Sequence, residues 1–264
     1  MPLPSYENPP VQEVVCGVVF EEMVELGSPH FGLYWARIRD RFPNFQEATP
    51  VSIPIVGEPA GAEAEFATLP PLRRVWYMHE NRDRLLQLQS NALLYNWRRV
   101  DAEVAYPRFD TVHAEFLKEV DAFGEFLQQE GLPAMTDIQY ELTYINHVLM
   151  GEGWEELSDL GGVFRHLSAP ANDIRYGTLA TIDYRLTFEM PDAAGRLSLR
   201  VRNATRKADN VPLLAMDVVA RGRLGEPPRE QRDEWFRLAH ETIVEGFEDF
   251  MGSEIQDEQW RREE

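Results

Sequence analysis

Two stretches of this chain carry the same amphipathic stripe. In residues 107–131 the apolar positions Phe109, Val112, Phe116, Val120, Phe123 and Leu127 recur in steps of three and four. That spacing keeps them on one side of an α-helix of about six turns. Pro107 suits a first turn, and Gly131-Leu132-Pro133 supplies the stop. In residues 228–251, Phe236, Ala239, Ile243, Phe247 and Phe250 form a second stripe. A shift of 127 residues lays Phe109 on Phe236, Phe116 on Ile243, Phe123 on Phe250 and His113 on His240. A helix with one apolar side must be covered by another layer, so two equivalent helices call for two equivalent surfaces.

The same shift carries the apolar run 11–20 onto 138–147, 52–56 onto 179–183, 73–79 onto 200–206, and 84–89 onto 211–216. Segments that keep their order under one offset point to a tandem duplication. The first copy, 1–131, reads as a strand, a crossover helix at 30–42, strands at 52–56, 73–79, 84–89 and 92–98, and the long helix. The second copy, 132–252, has a shorter crossover at 154–164 and strands at 179–188, 195–206 and 211–223. Residues 253–264 are left as an acidic tail, expected to fray from Asp257 onward. The β-α-β-β-β-α order predicts an α+β fold. Its two copies join into one long antiparallel sheet with helices on one face, a TATA-binding-protein-like or helix-grip-like plan. A shared plan of this kind carries no function.

The net charge is 26 − 45 = −19. It argues against sequence-independent nucleic-acid binding, where Lys and Arg must release counterions from phosphates, and against anionic membrane surfaces. No apolar run approaches the roughly 18 residues of a membrane span, and residues 1–10 lack the pattern of a signal peptide. A cytoplasmic protein is expected. The single cysteine, Cys16, lies mid-strand among valines and reads as a buried structural thiol.

No phosphate-cradling glycine loop and no G-x-S-x-G elbow occurs. The six histidines form no H-x-x-x-H or H-E-x-x-H pair. Acidic doublets such as Glu21-Glu22, Glu155-Glu156 and Glu263-Glu264 diverge around a chain and read as solvated surface. No catalytic residue, metal or cofactor is therefore expected.

The charge is uneven. Residues 226–264 carry 5 − 13 = −8, whereas 178–225 carry 8 − 5 = +3. Strand alternation puts Arg185, Arg200, Arg202, Arg221 and Arg223 on the helix-free face of the second half. Gln87, Gln89, Asn96 and Arg98 share that face in the first half, with Gln139 and Glu141 between. Forked arginines of this kind suit an anionic or polar ligand. Asn96, Arg98, Arg200, Arg202, Arg221 and Arg223 are the candidate binding residues, and a junction around Tyr144 and His147 is the second candidate. The competing account is a solvated face whose arginines pair internally with Asp183, Asp217 and Glu141.

Asn8-Pro9-Pro10-Val11, Glu13-Val14-Val15-Cys16-Gly17, His30, Gly32-Leu33-Tyr34-Trp35, Phe42-Pro43, Tyr95-Asn96-Trp97-Arg98 and Tyr144-Ile145-Asn146 add a family likeness. Together they resemble a sporadically distributed family of uncharacterised bacterial and archaeal proteins of about this length. The resemblance implies a full-length unit and no particular reaction. Its scattered distribution is that of mobile, defence or toxin–antitoxin-like genes. The expected function is a non-catalytic binding or regulatory module. Its partner would be a protein, a second copy of the chain or a small anionic ligand on the sheet face. An enzyme or sensor acting on a small anionic molecule such as a nucleotide is the alternative.

Overall fold

The structure, a computed structural model, describes residues 3–57, 74–101, 104–167, 177–223 and 229–263. The first half holds β1 (Ser5–Tyr6), β2 (Val11–Phe20), α1 (Ser28–Ile38), β3 (Asn44–Ala48), β4 (Arg74–Met78), β5 (Arg84–Gln89), β6 (Ala92–Arg98) and α2 (Phe109–Gln129). The second holds β7 (Asp137–Leu149), α3 (Leu160–Val163), β8 (Asp183–Glu189), β9 (Gly195–Thr205), β10 (Pro212–Gly222), α4 (Arg229–Phe250), α5 (Ser253–Glu258) and β11 (Arg262–Glu263). Nine strands of the described residues form one antiparallel sheet in the order β3-β4-β5-β6-β2-β7-β10-β9-β8. The fold is α+β, with the helices on one face. No helix of the described residues is long and apolar enough to cross a membrane.

Both stripes seat where their spacing demands. All six apolar positions of the α2 stripe are buried, and so are Phe236, Ala239, Ile243, Phe247 and Phe250 of α4. They meet the inward side of the sheet, which includes Val14, Cys16 and Val18 of β2 and Tyr140, Leu142 and Tyr144 of β7. Gly131 closes α2 with φ +68°, a left-handed position that suits glycine. Its N–H meets the Gln128 carbonyl, and the Leu132 N–H reaches back to Leu127 at 2.9 Å. On α1, Phe31, Tyr34 and Ile38 are buried at helical spacing. Tyr34 packs against Tyr77, Phe123 and Phe126.

Several expected elements are different. Residues 52–56 are not a strand; Pro50 and Pro54 lack the N–H a ladder requires. The outer strand is β3, an exposed edge just after Pro43. The expected second crossover helix over 154–164 is only a 3₁₀ turn, Leu157–Asp159, and the single turn α3. Gly161 and Gly162 give it poor helix propensity. Phe188 of β8 is 50% exposed, although alternation assigns it to the inward side. The shift of 127 carries β2 to β7 and α2 to α4, but it sends β5 onto β10. By place in the sheet, β10 answers to β6, because each is the outer neighbour of a central strand. Arg73 and Pro228, the expected starts of a strand and of the second long helix, lie outside the described residues.

Residues 253–263 are not a frayed tail. Ile255, Gln256 and Trp260 are buried. Tyr6 donates its hydroxyl to Gln256 Oε1 at 2.8 Å, and β11 pairs with β1. The Trp260 ring lies 5.3 Å from Phe247 and 6.1 Å from Tyr6. The acidic composition masked two apolar anchors. Replacing Trp260 by Ala is expected to lower stability by about 3–5 kcal/mol in a urea titration; a frayed tail would leave the midpoint unchanged.

Candidate functional site

Arg200, Arg202 and Arg221 of the helix-free face share one surface, but carboxylates already hold them. Arg200 donates Nε and Nη2 to Asp183 at 2.8 and 2.6 Å. Those bonds hold the Asp183 carboxyl below its usual range. Arg202 donates to Asp217, and Arg221 donates Nε to Glu141 Oε2 at 2.6 Å. The register puts these groups within reach: Glu141 stands directly opposite Arg221, while Asp183 stands opposite Arg202 and Asp217 opposite Arg200, so those two pairs bond on the diagonal. The repulsion among bare cations that would invite an anion is therefore absent at these three residues. Asn96 donates to Glu13 at 2.5 Å and accepts from Gln87 at 2.7 Å. Arg98 stands opposite Glu13 and donates to the Arg82 carbonyl at 2.9 Å. Burial pushes the Glu13 carboxyl up, with the Asn96 hydrogen bond opposing it. Arg223 lies just past the end of β10, exposed.

Tyr144 and His147 are not one site. They sit at opposite parity on β7, whose pairing with β10 runs without a break across them. His147 lines a cleft of about 600 Å³ with Arg99, Glu152 and Arg206. Tyr144 points to the helix side.

There it lines a different cavity, of about 230 Å³, where both halves and the N-terminal segment converge. Pro9, Pro10 and Val11 form one wall, Phe109 at the start of α2 another, and Ile243, Val244 and Phe247 of α4 a third. The polar groups are few. The Tyr106 and Tyr144 hydroxyls lie 2.8 Å apart in a mutual hydrogen bond. Burial pushes both phenols up, so they stay protonated. Asn146 and His240 add an amide and an imidazole to the lining. The His240 ring stacks on Phe109 at 4.1 Å between centroids, and burial lowers its pKa to about 4, so it is neutral at pH 7. Charge is confined to the mouth, at Arg108 and Asp110, both exposed. Arg108 adopts φ +70° and ψ 156°, a backbone conformation that costs a residue bearing a Cβ on the order of 1–3 kcal/mol. It is held there by bonds to Ser5 Oγ at 3.1 Å and the Tyr6 carbonyl at 3.3 Å.

Sequence reasoning reached Tyr144 but none of its neighbours in this cavity. His240 carried a signal, since it lies between Phe236 and Ile243 on the apolar stripe. Tyr106 and the N-terminal wall lie in irregular segments that show no period. Cys16 is buried against the helices, and burial pushes its thiol well up. Among the described residues, no group of three His, Cys, Asp or Glu side chains is placed to hold a metal ion.

No family model matches the chain, and no curated protein does. The crystal structure of DynU16, from the dynemicin biosynthetic locus, aligns over 90% of this chain and 98% of that one, at 14% identity and a TM-score of 0.23. A likeness at that level carries no weight for fold or function.

The two kinds of charge pair should behave differently. Glu141 is only 8% exposed. Arg221→Gln therefore leaves a buried carboxylate short of a donor, and is expected to cost about 1–3 kcal/mol by urea unfolding. The Arg200–Asp183 pair is solvated, so Arg200→Gln should barely move the midpoint, and less still at 1 M salt, where the Debye length is about 3 Å. Equal losses would contradict this placement. His240 yields a pH test. Its folded pKa, about 4, lies below the 6.5 of the unfolded chain. As pH falls from 6.5 to 4 the unfolded chain gains a proton that the folded chain refuses, so stability drops by about 3 kcal/mol through this group. His240→Gln should lose correspondingly less between pH 7 and pH 4. An unchanged pH dependence would mean that the imidazole is solvated.

Proposed function

We propose that this chain is a binding module without chemistry of its own, and that its ligand is a small, uncharged, largely apolar molecule. The observation that carries this is the cavity at the junction of the halves. Its lining offers aromatic and aliphatic walls with three tyrosines, Tyr6, Tyr106 and Tyr144, one amide and one neutral imidazole, and its charged groups, Arg108 and Asp110, are exposed at the mouth. Few polar groups in an apolar hollow are what fixes the orientation of a small molecule. An apolar cavity of about 150 Å³ is enough to hold benzene, so a volume of about 230 Å³ suits a ring bearing one or two polar substituents. A strained Arg108 at the mouth supports the same place, because such strain concentrates at ligand sites. The two halves, read as copies of one unit, would each contribute a wall. A ligand bridging them would stabilise the folded chain as a whole.

Ligand-observed NMR with uncharged aromatic fragments tests this. Phenol- or indole-sized fragments should bind the native chain. Val244→Phe should abolish that binding while the circular dichroism spectrum stays native, because the larger ring fills the cavity from α4. Fragments that bind Val244→Phe as well as the native chain would contradict the assignment, and so would binding confined to anionic fragments.

A further inference from the structure

The helix-free face is buried at its centre, although the helices of the described residues lie on the other side. Gln139 is 2% exposed and Gln89 4%. Part of the cover is the chain itself, residues 51–56, which pair with no strand. Two carboxamides hold this strap. Gln89 accepts the Val51 N–H at Oε1 and donates Nε2 to the Val51 carbonyl, both at 3.1 Å. Gln139 accepts the Val56 N–H at 2.9 Å and donates to the Pro54 carbonyl at 3.0 Å. Between the two forks, Ile53 packs on Val15, Ala92 and Leu94, a small apolar cluster separate from the main core.

The register explains the geometry. Gln89 stands opposite Ala92, Ala92 opposite Val19 and Val19 opposite Gln139, so the two glutamines end one row across four strands. Three strand spacings make about 14 Å. Five residues reach that distance only when nearly extended, at up to about 3.3–3.6 Å each. Pro50 and Pro54 favour such a backbone. Each carboxamide turns an N–H and a C=O toward the strap, as a strand edge does, and so grips main chain whatever its side chains. The outer side of the strap faces solvent: Val51 is 40% exposed, and Ser52 and Pro54 are exposed as well. Lifting it unpairs no strand.

The geometry points to a second binding site, for protein. The row from Gln89 to Gln139 accepts an extended, uncharged partner segment that crosses the strands with a β-branched residue over Val15, Ala92 and Leu94. Residues 51–56 are its resident stand-in. This site lies on the side of the sheet opposite the small-molecule cavity and does not depend on it.

The test is binding of a fluorescein-labelled peptide of residues 48–57, followed by anisotropy. In the native chain the tethered strap competes at an effective concentration in the millimolar range, so the peptide should bind weakly. Ile53→Asp expels the strap and leaves the face intact, and should bind the peptide at least about tenfold more tightly. Adding Gln89→Ala and Gln139→Ala to Ile53→Asp should abolish binding, as should Asp at position 53 of the peptide. Ile53→Ser is the milder release. Equal affinity in the native chain and both released variants would overturn the proposal, as would retention of binding without the two glutamines. Loss of cooperative melting in both Ile53→Asp and Ile53→Ser would overturn it too, because the strap would then be part of the fold rather than an occupant.

Discussion

At the middle of the sheet β2 and β7 run antiparallel, and each is the inner strand of its half. Everything on the helix side rests on that seam. Val14, Cys16 and Val18 of one strand and Tyr140, Leu142 and Tyr144 of the other form the floor on which the long helices sit. α2 and α4 then touch across it, through Phe116 and Phe236 at 5.2 Å and Phe109 and His240 at 4.1 Å between ring centroids. These contacts run antiparallel, rising along one helix as they fall along the other. The cavity opens beyond the last of them, where α2 begins and the N-terminal segment crosses. Were the halves to part, the floor would split and the cavity would lose its walls together.

The other side of the sheet follows from register rather than composition. A segment with net charge +3 inside a protein of −19 looks like an anion site while charges are only counted. The ladder sets Asp183, Asp217 and Glu141 against Arg202, Arg200 and Arg221, so three of the face's arginines already have carboxylate partners within the sheet. Which acid faces which arginine depends on strand order. That order could not be had from a uniform offset, because β5 and β10 occupy different places despite lying 127 residues apart.

What was legible in the sequence was what repeats. The stripes of α2 and α4, the alternation along β7, β9 and β10, and the buried place of Cys16 follow from local period and apolarity. What was not legible lacks a period. Residues 51–56 have the β-branched composition of a strand, yet their prolines and the glutamines beneath them make a strap. The C-terminal return depends on two apolar residues, Ile255 and Trp260, in a stretch dominated by acids. In the candidate site, Tyr144 stood out by residue type, but its pairing with His147 failed because an odd separation on a strand puts two side chains on opposite faces. Its true companions, Tyr106 and His240, come from segments far apart in sequence, and only the seam brings them together.

Native-state hydrogen exchange measures the seam directly. If the β2–β7 ladder carries the fold, the amides of both strands should exchange only through global unfolding, as the slowest set in the protein, while the edge strands β3 and β8 open at lower free energy. Faster exchange along β2 and β7 than along β6 and β10 would show that the halves separate at the centre while each stays folded, and would contradict the account of one sheet built outward from its middle.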